Sequence, residues 1–286
     1  MIDGLRTQYA VSRLCAVFDV SRSGYYAWRR RAPSERSKRH AAVLERILES
    51  FHGSDKTYGY PRVHADLKAW GLDVGRHQVA GLMRQHGLIG RARRRAGQRK
   101  AMKQFYYDNA KQIGCCPTPD QPRQIWVGDI TQINTWEGPC FLATVMDRYS
   151  RRIVGKAMGR ARDANLVVKA MRQALTAPGA HEVELFHSDQ GVEYAAHEYR
   201  KVLKTAQITR SISRVGNCYD NAHMESFFHT LKTECAELTM FQTARQIMTE
   251  VSRYIDYYNH RRRHSSLGYL SPVDFEAKLG LAECVH

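Results

Sequence analysis

The chain has 286 residues, 43% hydrophobic and 25% charged, which gives two or three domains and ample core. Its net charge of +16 is lopsided: residues 1–123 hold 24 Lys and Arg against 10 Asp and Glu, and residues 124–286 hold 20 against 18, so the front half is suited to a polyanion, nucleic acid first. Seven scattered cysteines without a CxxC spacing exclude a disulfide framework and a zinc knuckle, and no apolar run nears the ~18 residues of a membrane span, so the sequence reads as a reduced, cytoplasmic, nucleoid-associated protein.

Val11, Leu14, Cys15 and Phe18 share one helical face within residues 7–18. After a short break, Ser21 is placed to N-cap a second helix, Arg22–Arg31, that carries Tyr25, Tyr26, Trp28 and three arginines. Helix, turn and basic helix outline a helix-turn-helix over residues 1–32, although a helical hairpin with an aromatic core has the same outline. A third helix is predicted at Arg36–Phe51, a fourth from Pro61 to Gly71, and a fifth at Arg76–His86. These make a second helix-turn-helix domain, 33–95, with Arg76, His77 and Arg84 on its exposed side for phosphate contact. Residues 91–103 are nearly all basic or polar, Arg93, Arg94 and Arg95 among them, and read as a flexible arm along a DNA backbone. The arm runs into a linker, 96–122, that ends in Pro117, Pro119 and Pro122.

The pattern then changes to short β-branched runs, 125–133, 140–147, 152–158, 183–189 and 208–213, which read as five strands. Asp163 is placed to N-cap a helix after the third strand, and a further helix is predicted over 221–232. The order predicts an α/β fold, a mixed five-stranded sheet with helices on both faces. A helix at Ala244–Tyr258 then leads into the basic cluster Arg261, Arg262 and Arg263, read as DNA contacts beside the core.

Three carboxylates stand out by the elements that carry them. Asp129 lies in the first strand, Asp189 ends the fourth, and Glu225 lies on the last core helix. The 35-residue gap from Asp189 to Glu225 is weak evidence alone. Strand ends and a helix face, however, hold carboxylates rigidly enough to grip two divalent ions for phosphoryl transfer. An all-oxygen, open site suits Mg²⁺, with Mn²⁺ as substitute, rather than Zn²⁺. On the helix, Asn221, Glu225, His229 and Lys232 make a polar face beside an apolar stripe of Met224, Phe227, Phe228, Leu231 and Cys235. Asp147, ending the second strand, reads as a turn cap rather than a fourth ligand. His187 and Gln190 either support Asp189 or satisfy strand-end hydrogen bonds.

The segments WVGDIT (126–131), HSDQGVEY (187–194), GNCYDNAHMESFFHTLK (216–232), YNHRRRHSSLGYLSPVDFE (258–276) and TYGYPRVHADL (57–67) together resemble the OrfB-type catalytic subunit of bacterial insertion-sequence transposases of the IS-three family. These are DDE transposases, relatives of retroviral integrases with an RNase H-like core. The resemblance implies a catalytic core over 123–240, a C-terminal helix and basic tail over 241–286, and an Asp129–Asp189–Glu225 triad that binds two Mg²⁺ ions. It also implies that Lys232 and Asn221 contact the element's end. The expected activity is 3′-end cleavage and strand transfer on double-stranded DNA, by a homo-oligomer working with, or fused to, the product of an upstream reading frame of OrfA type. The rival readings are an RNase H-like nuclease and a catalytically inactive DNA-binding regulator.

Overall fold

The computed structural model describes residues 1–32, 34–91, 117–212, 222–235 and 243–280. They form two compact units, Met1–Glu49 and Ser50–His286. The boundary between the units falls inside a helix, α4 (Glu35–Gly53).

The first unit begins with α1 (Ile2–Leu5), α2 (Val11–Val17) and α3 (Arg22–Arg30). Ser21 caps α3 as expected, its hydroxyl accepting from the Gly24 N–H at 3.0 Å. Tyr25 is buried and donates its hydroxyl to Asp3 at 2.9 Å, while Tyr26 and Trp28 stay exposed. The helical-hairpin core is therefore Leu14, Cys15 and Tyr25, and only one of the three aromatics belongs to it.

In the second unit, α5 (Tyr60–Ala69) starts with Pro61, and α6 (Arg76–Gln85) follows a short turn. Val63, Leu67, Val79, Leu82 and Met83 are buried, which is the apolar spacing the sequence shows. Arg91, predicted to begin a flexible arm, is anchored instead. Its N–H donates to the Lys56 carbonyl at 3.1 Å and its guanidinium to the Glu234 carbonyl at 3.0 Å. The rest of that arm, Arg93, Arg94 and Arg95 included, lies outside the described residues.

The core is one sheet of five strands: β1 (Ile125–Thr135), β2 (Gly138–Asp147), β3 (Ile153–Gly159), β4 (Leu185–Ser188) and β5 (Thr209–Ile212), in the order β3-β2-β1-β4-β5. The β1–β2 and β2–β3 pairs are antiparallel, and β1–β4 and β4–β5 are parallel. Two apolar cores flank the sheet. On one face Trp126 and Phe186 pack with α7 (Ala164–Ala174) and with α8 (Val192–Ala195) and α9 (His197–Thr205). On the other, Val127, Ile133, Leu142 and Met146 pack with α10 (Ala222–Glu234) and α11 (Ala244–His260). The predicted mixed sheet with helices on both faces is the fold observed.

The starts of α7 and α11 follow from local chemistry. Asp163 accepts from the Leu166 N–H at 2.9 Å, and Thr243 and Gln246 form a capping box at the start of α11. Near the other end of α11, the Asn259 amide takes the N–H of Ile153 at 2.9 Å and gives to its carbonyl at 2.8 Å. The edge strand β3 is thereby pinned by a side chain that satisfies both backbone groups. A last helix, α12 (Pro272–Lys278), is not among the sequence expectations, although Ser271 followed by Pro272 is a helix-start signal.

Candidate active site

Strand register brings the first two carboxylates together. In the parallel β1–β4 pair Val127 lies opposite His187. Two residues further on in each strand direction come Asp129 and Asp189, so they reach the same level on neighbouring strands. Alternation also fixes the face. Val127 and Ile133 belong to the core beneath α10 and α11, and Asp129 shares their parity. Gly128 points the other way, where a Cβ would come within 2.5 Å of the Phe186 ring. The close approach of β1 to β4 beside the site thus requires glycine there.

Glu225 is delivered by α10, whose Met224, Phe227, Phe228 and Leu231 are buried against the sheet. Glu225 is half-buried, and His229 and Lys232 are exposed on the same side of the helix. Asn221 lies outside the described residues.

The Asp129 carboxyl responds to the charge of both of the others. Burial pushes the Asp129 carboxyl up from 3.8 to about 7, and the charges of Asp189 and Glu225 push in the same direction. The Ile130 N–H, which donates to Asp129 Oδ1 at 2.7 Å, and the Arg162 guanidinium pull it back down. Asp189 Oδ1 accepts from the Gly191 N–H at 3.1 Å. Among the described residues no three His, Cys, Asp or Glu side chains are gathered tightly enough to hold one ion.

The supporting residues are placed as follows. Asp147 caps its turn, accepting from the N–H groups of Arg123, Tyr149 and Ser150 at 2.5, 2.9 and 2.8 Å. The Ser150 hydroxyl also donates to it, at 3.1 Å. His187 is buried and shares a 2.9 Å hydrogen bond with Ser211 on β5, and Gln190 is exposed.

The basic residues divide sharply. Arg76 and Arg84 are exposed on α6, and Arg76 lies over the Tyr60 ring at 5.3 Å. The cluster Arg261–Arg263 does not act as one exposed patch. Arg261 is exposed, but Arg262 is buried and holds both oxygens of buried Glu234 at 2.6 Å. Arg263 pairs with Asp66 and donates to the Tyr269 carbonyl at 2.8 Å. The expectation of DNA contact is corrected for Arg262: its guanidinium is sunk in the protein beside a carboxylate that needs it. Arg62 of α5 joins the same Glu234 at 3.4 Å, and the Tyr254 hydroxyl donates to it at 3.0 Å. Burial alone would raise the Glu234 carboxyl, but Arg262 and Arg62 hold it below its ordinary value.

Sequence reasoning missed two neighbours of the acidic site. Glu193, in the first turn of α8, is buried and pairs with the Arg162 Nε at 2.6 Å. Arg162 sits just before the cap of α7. The available signal was the place of Glu193 inside HSDQGVEY, four residues after Asp189.

Models of known families match the chain over most of its length. An integrase core domain matches residues 119–218, a second integrase core model matches 206–272, and an HTH-like domain matches 38–96. The "Insertion element IS600 uncharacterized 31 kDa protein" of Shigella sonnei is 35% identical over 273 residues, covering 93% of this chain and 98% of that one. "Transposase InsF for insertion sequence IS3A" of Escherichia coli (strain K12) is 33% identical over 291 residues, covering 97% of each. Among solved structures, a chain of the simian T-cell lymphotropic virus intasome in complex with PP2A regulatory subunit B56 gamma superposes with a TM-score of 0.51 at 16% identity, over 59% of this chain and 58% of that one.

Proposed function

The chain belongs to the family of IS3-type insertion-sequence transposases, and on that premise we propose that it moves its element by metal-dependent cleavage and strand transfer at Asp129, Asp189 and Glu225. The integrase core makes the reaction class polynucleotidyl transfer on DNA. The observation that supports the site is the crowding at Asp129. Its carboxyl is held near 7 by burial and by two acidic neighbours. Such a set is short of positive charge, and its donors are all oxygen, which fits Mg²⁺ or Mn²⁺. Asp129, Asp189 and Glu225 are the residues that would hold the ions. When bound, the ions supply Lewis-acid activation of the attacking oxygen and charge neutralisation at the leaving one.

The chain's own residues do the rest by positioning. The β1–β4 register fixes two carboxylates, and the buried stripe of α10 fixes the third. Water first attacks the phosphodiester at the element's end and leaves a free 3′-hydroxyl. That hydroxyl then attacks a second phosphodiester, with no covalent enzyme–DNA intermediate. Lys232, two turns beyond Glu225 on its exposed side, and Asn221 are assigned to the terminal strand. Arg76, Arg84, Arg93, Arg94, Arg95 and Arg261 are assigned to flanking phosphates. Residues 1–32 and 33–95 act as DNA-binding modules, 96–122 as a basic linker, 123–240 as the catalytic core and 241–286 as its C-terminal support. The working assembly is a homo-oligomer on paired element ends, with an OrfA-type product supplied separately or fused.

Labelled element-end duplex incubated with the protein and Mg²⁺ tests this reading. Strand-joined product is expected. Shortened strands alone would indicate a nuclease, and unchanged DNA a regulator. Asp129→Asn should abolish both steps while a gel-shift assay shows end binding intact. Joining retained by that variant would remove Asp129 from the site.

A further inference from the structure

Arg162 and Glu193 form an ion pair that is unevenly exposed. The Glu193 side chain is 6% exposed and that of Arg162 45% exposed, with the Arg162 Nε 2.6 Å from Glu193 Oε1. The carboxylate is sunk in the protein, and the guanidinium stands at the surface. The second Glu193 oxygen, Oε2, is inaccessible to solvent and accepts no hydrogen bond. A Cβ built on Gly191 would lie 2.6 Å from Glu193 Oε2 and 3.0 Å from Asp189 Oδ1, so both carboxylates close around Gly191. Arg162 is close enough to Asp129 to act on its charge, and buried Tyr194 feels Asp129, Asp189 and Glu193 together.

A buried carboxylate next to Asp189 is costly, and packing does not call for it, because glutamine would fill the same space uncharged. What the charge provides is an anchor. The ion pair keeps the guanidinium beside this carboxylate, and its nitrogens make a planar fork. Such a fork matches two oxygens of a phosphate, and here it stands beside the carboxylates where the attacked phosphodiester must come.

We propose that Arg162 is a phosphate-binding residue of the active site, kept near the Asp129 and Asp189 carboxylates by buried Glu193, and that its ligand is a DNA phosphate at or beside the bond being cut. This rests on the transposase reading. Glu193 acts through Arg162 and is a positioning residue. Lysine at 162 would restore the charge without the fork, and so only part of the contact.

The test is a binding measurement with the full chain, made in Ca²⁺ on a duplex carrying the element's terminal repeat. Phosphates at and beside the scissile position are replaced one at a time by neutral methylphosphonate. For the wild-type protein, one such replacement should weaken binding about tenfold. Arg162→Ala should bind the ordinary duplex about as weakly as the wild type binds that modified one, and should be indifferent to the replacement. Arg162→Lys should recover part of the sensitivity. Since Arg162→Ala strands a buried charge, the double variant Arg162→Ala/Glu193→Gln, checked for an unchanged melting temperature, must show the same indifference. If both variants keep the wild-type sensitivity at every position, the proposal is overturned. It is also overturned if they lose Mn²⁺ binding by calorimetry while phosphate sensitivity persists, because the pair would then serve the ions. The measurement needs no strand joining, so a wild-type protein that binds but fails to join strands would count against the transposase reading and leave this result readable.

Discussion

Asp129 is the residue on which the proposed chemistry and the stability of the fold meet. An acid whose folded value is about 7 against an ordinary 3.8 binds its proton more tightly in the fold than in the unfolded chain. Its contribution to stability is therefore complete below 3.8 and is lost as pH climbs through about 7. Calorimetry in EDTA should show the melting temperature of the wild type falling between about pH 4 and about pH 7, and Asp129→Asn should be flatter there. Added Mg²⁺ or Mn²⁺ should remove most of the fall by taking the place of the proton. Identical slopes for the two proteins would mean that Asp129 does not titrate in this window. The sequence offered the three carboxylates because strands and an amphipathic helix can be read from periodicity, and those elements carry them. It did not offer Glu193, because burial beside Asp189 depends on how the turn at Gly191 folds back. It misjudged Arg262 for a related reason. Charge is visible in a sequence, but the Glu234 partner lies 28 residues upstream and meets it only in three dimensions.

At the scale of elements, α10 is fixed along its length by two different kinds of force. Its middle is held by the burial of Phe227 and Leu231, each contributing roughly 1.5–3 kcal/mol. Its end is held by the charges around Glu234. Arg262→Ala leaves that carboxylate buried with fewer partners, and should cost about 3–5 kcal/mol in urea denaturation. Arg261→Ala, one residue away and exposed, should stay within about 0.5 kcal/mol and weaken DNA binding instead. A stability loss shared equally by the two would contradict the division between them. The strands were legible to within a residue or two, since β-branched runs between turns have few other readings. The helix α12 went unread because seven residues are too few for periodicity to show, and only the Ser271–Pro272 start marks it. The short α8 hides for the same reason, and with it the placement of Glu193.

For the whole molecule the governing quantity is the uneven charge, +14 of the +16 lying in residues 1–123. End binding should weaken steeply as salt rises, with a slope that reports the number of phosphates neutralised. Filter binding across a series of KCl concentrations measures it, and a flat response would exclude a basic front half that lies on DNA. The lopsidedness was plain in the sequence, but which arginines are free to use it was not: Arg91, Arg262 and Arg263 are all occupied within the fold. Their occupation has a consequence for engineering. The HTH-like stretch meets the rest of its unit through Arg62, Asp66 and Arg91, each bonded to a residue of α10 or of the chain after α11. A chimera that grafts this stretch from a relative is therefore not a simple exchange of a reading head. Unless the donor brings matching charges, the graft will unseat the far end of the helix that carries Glu225, and altered specificity will arrive together with lost turnover.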